Sequence, residues 1–242
     1  MKLCAIVPSY NHHRVVGEVI AALRATNIPV FLIDDGSAEE TRRVLAALTG
    51  PDVTVHHLPQ NGGKGAAVLT GFRLAQAEGY SHALQVDADG QHDLTRLSAL
   101  IDAAKADPCA LISGQPRYDA SIPTGRKIGR WITHVWVWIE TLSLAITDSM
   151  CGFRIYPLEA SGRLMAAEPI GHYMDFDTDI MVRLFWRGTP VVMVPVNVTY
   201  PPDNTSNFAM VRDNVRISLM HTRLVFGMMA RLPRFILRRG WA

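Results

Sequence analysis

The first half of the chain alternates short apolar runs with longer amphipathic stretches, and this alternation restricts the fold more than any other feature. Apolar runs of strand length lie at residues 3–7, 30–33, 53–57, 82–86 and 110–113, and helical patterns lie at residues 14–25, 39–48, 64–78 and 94–106. Strands that alternate with helices are typical of βαβ units, in which helices cover a parallel sheet. Since 48% of the 242 residues are hydrophobic, one large core can form. We therefore predict a single α/β, Rossmann-like domain with a mostly parallel central sheet.

A polar cluster follows four of the predicted strands. The clusters are Pro8-Ser9-Tyr10-Asn11, Asp34-Asp35-Gly36-Ser37, Asn61-Gly62-Gly63-Lys64-Gly65 and Asp87-Ala88-Asp89-Gly90-Gln91. The carboxyl ends of parallel strands meet at one edge of a sheet, where the ligands of such folds bind. The sequence therefore predicts that all four clusters contribute to one site.

The acidic cluster suits a divalent cation. Asp87 and Asp89 are separated by one residue, so both carboxylates point to the same face of an extended chain. Hard oxygen ligands that leave open positions favour Mg²⁺ or Mn²⁺. Gly90 permits a turn that would bring the side-chain oxygen of Gln91 toward the ion. Taken alone, the triplet also fits an ordinary acidic loop in which Asp93 caps the next helix.

Two other clusters suit a nucleotide. Asp34 and Asp35 can accept hydrogen bonds from a base or a ribose, although the same segment also suits a turn capped by Ser37. Loop 61–65 offers backbone N–H groups and the Lys64 ammonium to an anion. This loop lacks the spacing of an ATP-hydrolysing P-loop, and no Gly-x-Gly-x-x-Gly follows the first strand. The pattern therefore disfavours an ATPase and a nicotinamide dehydrogenase.

The composition narrows the classes further. A net charge of +2 does not indicate a nucleic-acid-binding protein. The cysteines, Cys4, Cys109 and Cys151, are too widely spaced for a disulfide framework or a zinc site. The chain opens on a strand pattern instead of a signal peptide. We expect a cytoplasmic protein with reduced thiols.

The second half has a different pattern. A loop is predicted at residues 115–130, helices at 158–167 and 173–186, and a closing strand at 191–198. Residues 131–147 form a mostly apolar stretch that contains Glu140 and is short for a membrane span. Its helical stripe consists of Trp131, Val135, Trp138, Leu142 and Ala145. We favour core packing for this stripe over anchoring of its tryptophans at a membrane interface.

The C-terminal tail predicts a basic amphipathic helix. Its helical period covers residues 214–232, and Pro233 is expected to kink or interrupt it. From residue 212 onward Asp213 is the only acid, whereas arginines accumulate at 212, 216, 223, 231, 234, 238 and 239. Such a helix can lie in an anionic membrane interface. The alternative is a helix that forms a homodimer or binds a partner.

Six motifs in this order resemble glycosyltransferase family 2, which has the GT-A fold, and especially its polyprenyl-phosphate mannose (dolichol-phosphate mannose) synthase-like branch. The two motifs beyond the four clusters are Asp148-Ser149-Met150-Cys151-Gly152-Phe153-Arg154 and the acidic segment at 175–179. The resemblance implies a GT-A domain at residues 1–210. Residues 1–114 form its nucleotide-sugar-binding half and residues 115–210 its acceptor-binding half, and the tail occupies 211–242.

The resemblance also implies an activity. An inverting, metal-dependent transferase would move a sugar from a GDP- or UDP-linked donor to a lipid-linked, polyprenyl-phosphate-like acceptor at the cytoplasmic membrane face. Two alternatives stay open at this point. The acceptor could be a glycan or glycolipid hydroxyl that needs an Asp base, or the chain could be a non-catalytic, membrane-associated module that binds nucleotide-sugars.

Site residues follow from the same resemblance. The donor is expected to contact Pro8, Tyr10, Asn11, Asp34, Asp35, Gly36, Lys64, Asp87 and Ala88, and the metal Asp87, Asp89 and Gln91. One departure is His12, where the family frequently has Glu, and it affects one nucleotide contact.

The acceptor side is expected to use acids and arginines of the second half. Asp177 and Asp179 are predicted to border the acceptor pocket and, with Asp89, to be catalytic. If the helix begins later than residue 173, Asp175 and Asp177 would instead lie at its N-terminus. The residues predicted to bind the acceptor are Arg117, Arg126, Ser149 and Arg154, and Arg130 is a further candidate for its phosphate.

Overall fold

Among the residues that the structure describes, seven strands form one sheet. They are β1 (Leu3–Ser9), β2 (Val30–Asp34), β3 (Val53–His57), β4 (His82–Gln85), β5 (Leu111–Tyr118), β6 (Arg154–Pro157) and β7 (Val191–Val198). Their order across the sheet is β3-β2-β1-β4-β6-β5-β7. The computed structural model describes residues 1–118, 122, 124–198 and 208–239, with the side chains of residues 124, 126 and 234–239 outside that description.

Helices cover both faces of this sheet. They are α1 (Val16–Arg24), α2 (Glu39–Ala46), α3 (Lys64–Ala77), α4 (Leu97–Ala106), α5 (Thr124–Thr141), α6 (Leu158–Ala167), α7 (Phe176–Trp186) and α8 (Met210–Arg239). Alternate residues of β1 enter opposite cores, because successive side chains of a strand point to opposite faces. Ile6 packs in the cluster that includes Phe72 of α3, whereas Val7 packs in the cluster that includes Ile20 of α1.

The predicted α/β fold with a mostly parallel sheet is confirmed. β1 pairs in parallel with β2 and β4, β2 with β3, and β5 with β7. β6 is antiparallel to both β4 and β5. The carboxyl ends of β1, β2 and β4 therefore point in one direction and carry the polar clusters.

In the middle of the chain one predicted strand boundary is wrong and one strand was not predicted. β5 continues through Tyr118 into the predicted loop 115–130, because β7 pairs with it along its whole length and compensates for the weak strand propensity of Gly114 and Pro116. β6 was not expected at all, since its four residues begin with an arginine and its two partner strands are remote in sequence.

Helix α5 also differs from the expectation. It spans Thr124–Thr141 instead of residues 131–147, and its buried face contains Thr133, Val137 and Glu140. The expected core stripe is wrong at Trp131, whose surface is 64% exposed, and at Ala145, which is exposed beyond the end of the helix. Apolar residues surround much of this helix, so their period alone does not identify the face that packs.

Helix α8 is longer than predicted and passes through Pro233 without ending there. Met220, Leu224 and Met228 are buried in the core cluster that also contains Val137 of α5 and Ile180 of α7. The tail therefore packs against the domain through one face. Arginine and exposed apolar side chains occupy other positions along it.

Candidate active site

The register of the sheet brings the first two clusters together. Ser9 at the end of β1 pairs with Asp34 at the end of β2. Beyond these strands, the backbone N–H of Asn11 donates to the Ser37 hydroxyl at 3.0 Å, and the Asn11 side-chain oxygen accepts from the Ala38 N–H at 3.0 Å. The predicted donor residues Pro8, Tyr10, Asn11 and Gly36 therefore lie in or beside two loops that are tied to each other.

Asp34 is completely buried, and its carboxylate is already occupied. Its Oδ2 lies 2.8 Å from His57 Nδ1 and 3.3 Å from Arg42 Nε, and its Oδ1 accepts from the Ser37 N–H at 3.0 Å. Burial alone would raise the pKa of Asp34, but these hydrogen bonds outweigh it and hold the pKa below its ordinary value. Asp34 thus stabilises the end of β2 with the oxygens that were expected to meet the donor.

Asp35 holds the glycine-rich loop in place. Its two carboxylate oxygens accept from the Gly62 N–H at 2.7 Å and the Gly63 N–H at 2.8 Å. Burial raises the pKa of Asp35 despite these bonds, and the neighbouring charge of Asp34 acts in the same direction. The second and third clusters are therefore joined by hydrogen bonds to charged groups, which are among the stronger ones in proteins.

Lys64 joins the third cluster to the fourth. Its Nζ lies 2.8 Å from Asp87 Oδ2 and 2.7 Å from Asp177 Oδ2. The other oxygen of Asp177 accepts from the Gln85 side chain at 2.9 Å. Burial would lower the pKa of Lys64, but the charges of Asp177 and Asp87 raise it above its usual range. Burial and the Lys64 charge oppose each other at Asp87, whose pKa lies well below its usual range.

The acidic cluster has oxygen atoms available for a cation. Asp87 Oδ1 is buried without a hydrogen-bond partner, and Asp89 Oδ1 accepts from the Gln91 N–H at 3.1 Å. Ala88 between them is buried. No group of three His, Cys, Asp or Glu side chains within the described part of the chain has the arrangement of a metal site. Asp87 and Asp89 fit a hard cation whose shell is completed by Gln91, water and phosphate oxygens.

Two neighbours of Asp87 were missed by the sequence analysis. His92 Nε2 lies 3.7 Å from Asp87 Oδ2, and the His92 ring stacks on Phe153 with 5.4 Å between centroids. Gly152 packs so closely on Asp87 that a Cβ atom at this position would collide with the carboxylate. Gly152 belongs to the predicted 148–154 motif, but nothing in that sequence indicates that it reaches Asp87.

The structure separates the acids of the 175–179 segment. Helix α7 begins at Phe176, so the later start considered above is the observed one. Asp177 faces Lys64, whereas the oxygens of Asp179 accept from the Gly171 N–H at 2.8 Å and from Arg183 Nε at 2.7 Å. Asp175 Oδ1 accepts from the Tyr173 N–H at 3.1 Å. Only Asp177 of the expected pair therefore joins the four clusters.

Arg154 does not present its guanidinium to an acceptor. It is fully buried, and its terminal nitrogens donate to the backbone oxygens of Asp177 and Ser149, both at 2.6 Å. The Ser149 hydroxyl is also buried and lies 3.1 Å from the Thr178 hydroxyl. Arg154 was expected to grip a phosphate because its position on a strand inside the sheet could not be foreseen. It instead supports the backbone of Asp177.

The remaining arginines predicted to bind the acceptor lie in β5 and α5. Arg117 is exposed near the end of β5, and the side chain of Arg126 lies outside the described residues. Arg130 NH2 lies 2.5 Å from Asp148 Oδ2, and His134 Nε2 lies 3.3 Å from the same oxygen. Arg130 Nε is buried and has no hydrogen-bond partner among the residues that the structure describes. Burial would raise the pKa of Asp148, but the charge of Arg130 dominates and holds it well below the usual range.

With this geometry described, comparison with known proteins identifies the family. The family model described as Glycosyl transferase family 2 matches residues 4–160, which is more than half of the chain. The chain belongs to glycosyltransferase family 2. The match includes the four clusters and the Asp148–Arg154 motif, so the family assignment made from the sequence is confirmed, as is the assignment as a glycosyltransferase.

Two curated relatives support a closer relationship for this glycosyltransferase. The polyprenol monophosphomannose synthase of Mycolicibacterium smegmatis is 32% identical over 211 residues, which cover 80% of this chain and 76% of the relative. The undecaprenyl-phosphate mannosyltransferase of Micrococcus luteus is 29% identical over 206 residues, which cover 81% of this chain and 83% of the relative. The glycosyltransferase is therefore related to polyprenyl-phosphate mannose synthases.

A solved structure supports the GT-A fold. The glucosyl-3-phosphoglycerate synthase of Mycobacterium tuberculosis, crystallised with Mn²⁺ and UDP-glucose, superposes with a TM-score of 0.70 at 15% identity. The alignment covers 91% of this chain and 78% of that one. Within the described residues of the glycosyltransferase, no helix combines the length and the apolar character that crossing a membrane requires.

Proposed function

We propose that this glycosyltransferase transfers a sugar, with inversion, from a nucleotide-diphosphate sugar to a polyprenyl-phosphate-like lipid at the cytoplasmic face of a membrane. The donor would lie against the clusters of residues 1–114 and the acceptor against residues 115–210. The observation that carries this proposal is that every acid of the 175–179 segment has its carboxylate engaged by other groups of the protein.

A hydroxyl acceptor requires a carboxylate that can take its proton. Both oxygens of Asp177 are engaged by Lys64 and Gln85, and both oxygens of Asp179 by Gly171 and Arg183. Asp175 is bound to the Tyr173 N–H. A lipid phosphate is already ionised at neutral pH, so it can attack the anomeric carbon without a base. The lipid phosphate is therefore the acceptor class that this arrangement of acids favours.

The donor end of the site supplies positive charge for the leaving group. Asp87, Asp89 and Gln91 would hold Mg²⁺ or Mn²⁺, which when bound offsets the charge that develops on the departing diphosphate. Lys64 contributes a fixed ammonium beside Asp87, and its position does not require rearrangement when the bond to the anomeric carbon breaks. Gln85 and Arg154 hold Asp177, which in turn orients Lys64.

Arg130, His134 and Arg117 are the groups best suited to the acceptor phosphate. Arg130 has a buried Nε without a partner, and a guanidinium can bind phosphate oxygens through two parallel hydrogen bonds. Asp148 binds Arg130 and lies 3.3 Å from His134 Nε2, so the Arg130 guanidinium is held in position before the acceptor arrives. Asp148 lies in the same segment as Gly152, which packs on Asp87.

The acceptor requires contact with a lipid surface, and two packed helices offer one. α5 exposes Ile128, Trp131 and Ile132, and α8 exposes Leu219 and Phe226. Arginines accompany these apolar side chains along α8. Apolar residues combined with arginines suit an anionic membrane interface, in which the protein would lie without a spanning helix.

A comparison of acceptors tests the proposed function. Purified protein with Mn²⁺ is given GDP-mannose or UDP-glucose together with either undecaprenyl phosphate or undecaprenol in detergent, and lipid-linked sugar is measured. We expect transfer to the phosphate at a rate at least roughly a hundredfold above that to the alcohol, because only the alcohol needs a base. Asp89→Ala serves as the inactive control. Equal transfer to the alcohol would contradict the proposed acceptor, and nucleotide binding without transfer to any lipid would favour a binding module.

A further inference from the structure

Helix α8 carries a cation that is held against an aromatic ring of the domain. The guanidinium carbon of Arg216 lies 3.5 Å from the centroid of the Tyr173 ring. A terminal nitrogen of Arg216 also lies 3.2 Å from Asp213 Oδ1, and Asp213 Oδ2 accepts from the Ala209 N–H at 2.8 Å. Arg216 is therefore fixed from two sides, by the start of its own helix and by Tyr173.

Tyr173 also packs against the glycine-rich loop. A Cβ atom on Gly63 would collide with the Tyr173 ring and with the His172 carbonyl oxygen, which means that the loop backbone lies directly against this segment. The Ala66 N–H donates to the same His172 oxygen at 3.1 Å. Gly63 has a φ of 95°, a conformation that other residues rarely adopt. Residues 172 and 173 therefore pack directly against the glycine-rich loop 61–65.

The glycine-rich loop carries the groups that bind the acidic side chains of the site. Gly62 and Gly63 donate to Asp35, and Lys64 reaches both Asp87 and Asp177. Gly62 and Gly63 directly precede helix α3, so this part of the loop has much conformational freedom to lose when it is ordered. Packing against residues 172 and 173 restricts this freedom before a ligand binds, and this lowers the entropic cost of binding.

We propose that Arg216 and Tyr173 are positioning residues for the donor, so that α8 contributes to nucleotide-sugar affinity and is not only a membrane anchor. Arg216 stacks on Tyr173, Tyr173 packs on Gly63, and Gly63 belongs to the loop that holds Lys64 at the acidic cluster. The inference rests on the proposed function in one respect, which is that a nucleoside diphosphate binds at this loop. It does not depend on which lipid accepts the sugar.

Binding of the nucleoside diphosphate tests this role without the acceptor. UDP and GDP are titrated, each with Mn²⁺, into the full chain by calorimetry. Arg216→Ala should weaken nucleotide binding about fivefold, the change in affinity expected when one partly buried cation–π contact is lost. Tyr173→Leu should weaken it by a similar factor, whereas Tyr173→Phe keeps the ring and should stay within twofold of wild type. In transfer assays the donor KM should rise, while kcat at saturating donor should be unchanged.

Arg212→Ala is the matched control, because it removes the same charge from the preceding turn of the same helix. Arg212 is exposed, and within the described part of the chain its one ion pair is a 3.8 Å approach to Asp213, so its loss should not change nucleotide affinity. Equal affinity of wild type and Arg216→Ala would overturn the inference, as would equal weakening by Arg212→Ala. If Arg216→Ala unfolds α8, the Tyr173→Phe and Tyr173→Leu pair decides instead. Failure of wild type to bind either nucleotide would contradict the proposed function itself.

Discussion

At the scale of single residues, two large opposing effects determine how much the Lys64 ammonium between Asp87 and Asp177 stabilises the fold. Removing three ionised groups from water is unfavourable, and only their mutual attraction offsets this cost. Gln85 and His92 supply further polar neighbours to the two carboxylates. Loss of Lys64 would leave both carboxylates partly buried and uncompensated. Lys64 is therefore expected to stabilise the fold as well as the leaving group.

Lys64→Met should lower the free energy of unfolding by about 3 kcal/mol at pH 7, the size expected when one partner of a buried pair is removed. Because the folded-state pKa of Asp87 is depressed, this contribution is complete above the ordinary carboxyl value of 3.8 and is lost as the pH falls below it. Urea denaturation should therefore show a smaller difference at pH 3.5 than at pH 7. Lys105→Met, which breaks an exposed pair with Asp102, is the control and should cost less than about 0.5 kcal/mol. A difference that is independent of acid pH would contradict the argument.

Among the structural elements, α5 and α8 are joined by a buried pair of side chains, neither of which belongs to one of the six sequence motifs. Glu140 of α5 is fully buried, and its Oε1 lies 2.7 Å from Nδ1 of His221 on α8. Glu140 Oε2 and His221 Nε2 are both buried without hydrogen-bond partners. Burial raises the pKa of Glu140 even though His221 lowers it, and the Asp179 charge adds to the increase.

Glu140→Gln should stabilise the protein at pH 8 by about 1 kcal/mol, because a neutral amide keeps the acceptor oxygen and avoids burying a charge. A carboxyl whose folded-state pKa is raised favours the fold below its ordinary value of 4.5 and loses that advantage as the pH rises through the folded value. The stability difference between variant and wild type should therefore be near zero at pH 4.5 and grow toward pH 8. Thermal unfolding across this range measures it, with Glu159→Gln on the exposed face of α6 as the control. Destabilisation by Glu140→Gln at pH 8 would show that the ion pair is needed to join the helices.

The same elements show what the sequence could predict. The strands that end in polar clusters were found because each is a short segment rich in apolar or β-branched residues with turn residues after it. β6 and the end of β5 were missed because their stability comes from partners that are distant along the chain. Within the site, Asp87 and Lys64 were predicted from residue type and spacing. The sequence could not show that Asp179 bonds outside the four clusters or that Arg154 is buried, because these depend on where helix α7 begins and on the antiparallel strand β6.

At the scale of the whole molecule, apolar surface and positive charge occur on the same two helices. Trp131 of α5 and Phe226 of α8 are 64% and 66% exposed, although aromatic side chains are usually buried in globular proteins. Arg216 of α8 stacks on Tyr173, beside the donor loop, and Arg130 of α5 binds Asp148. The helices proposed to meet a membrane are therefore the same ones that place Arg216 on Tyr173 and Arg130 on Asp148.

Vesicle binding tests this arrangement. The protein should sediment with phosphatidylglycerol vesicles more strongly than with phosphatidylcholine vesicles, and added salt should weaken the binding because the arginines contribute through screened charge. Phe226→Asp should reduce binding by at least roughly tenfold, since it replaces an exposed apolar side chain with an anion at the interface. Val44→Asp makes a comparable change at an exposed apolar position of α2 and should have no effect. Equal reduction by both variants, or equal binding to neutral and anionic vesicles, would contradict a membrane surface formed by α5 and α8.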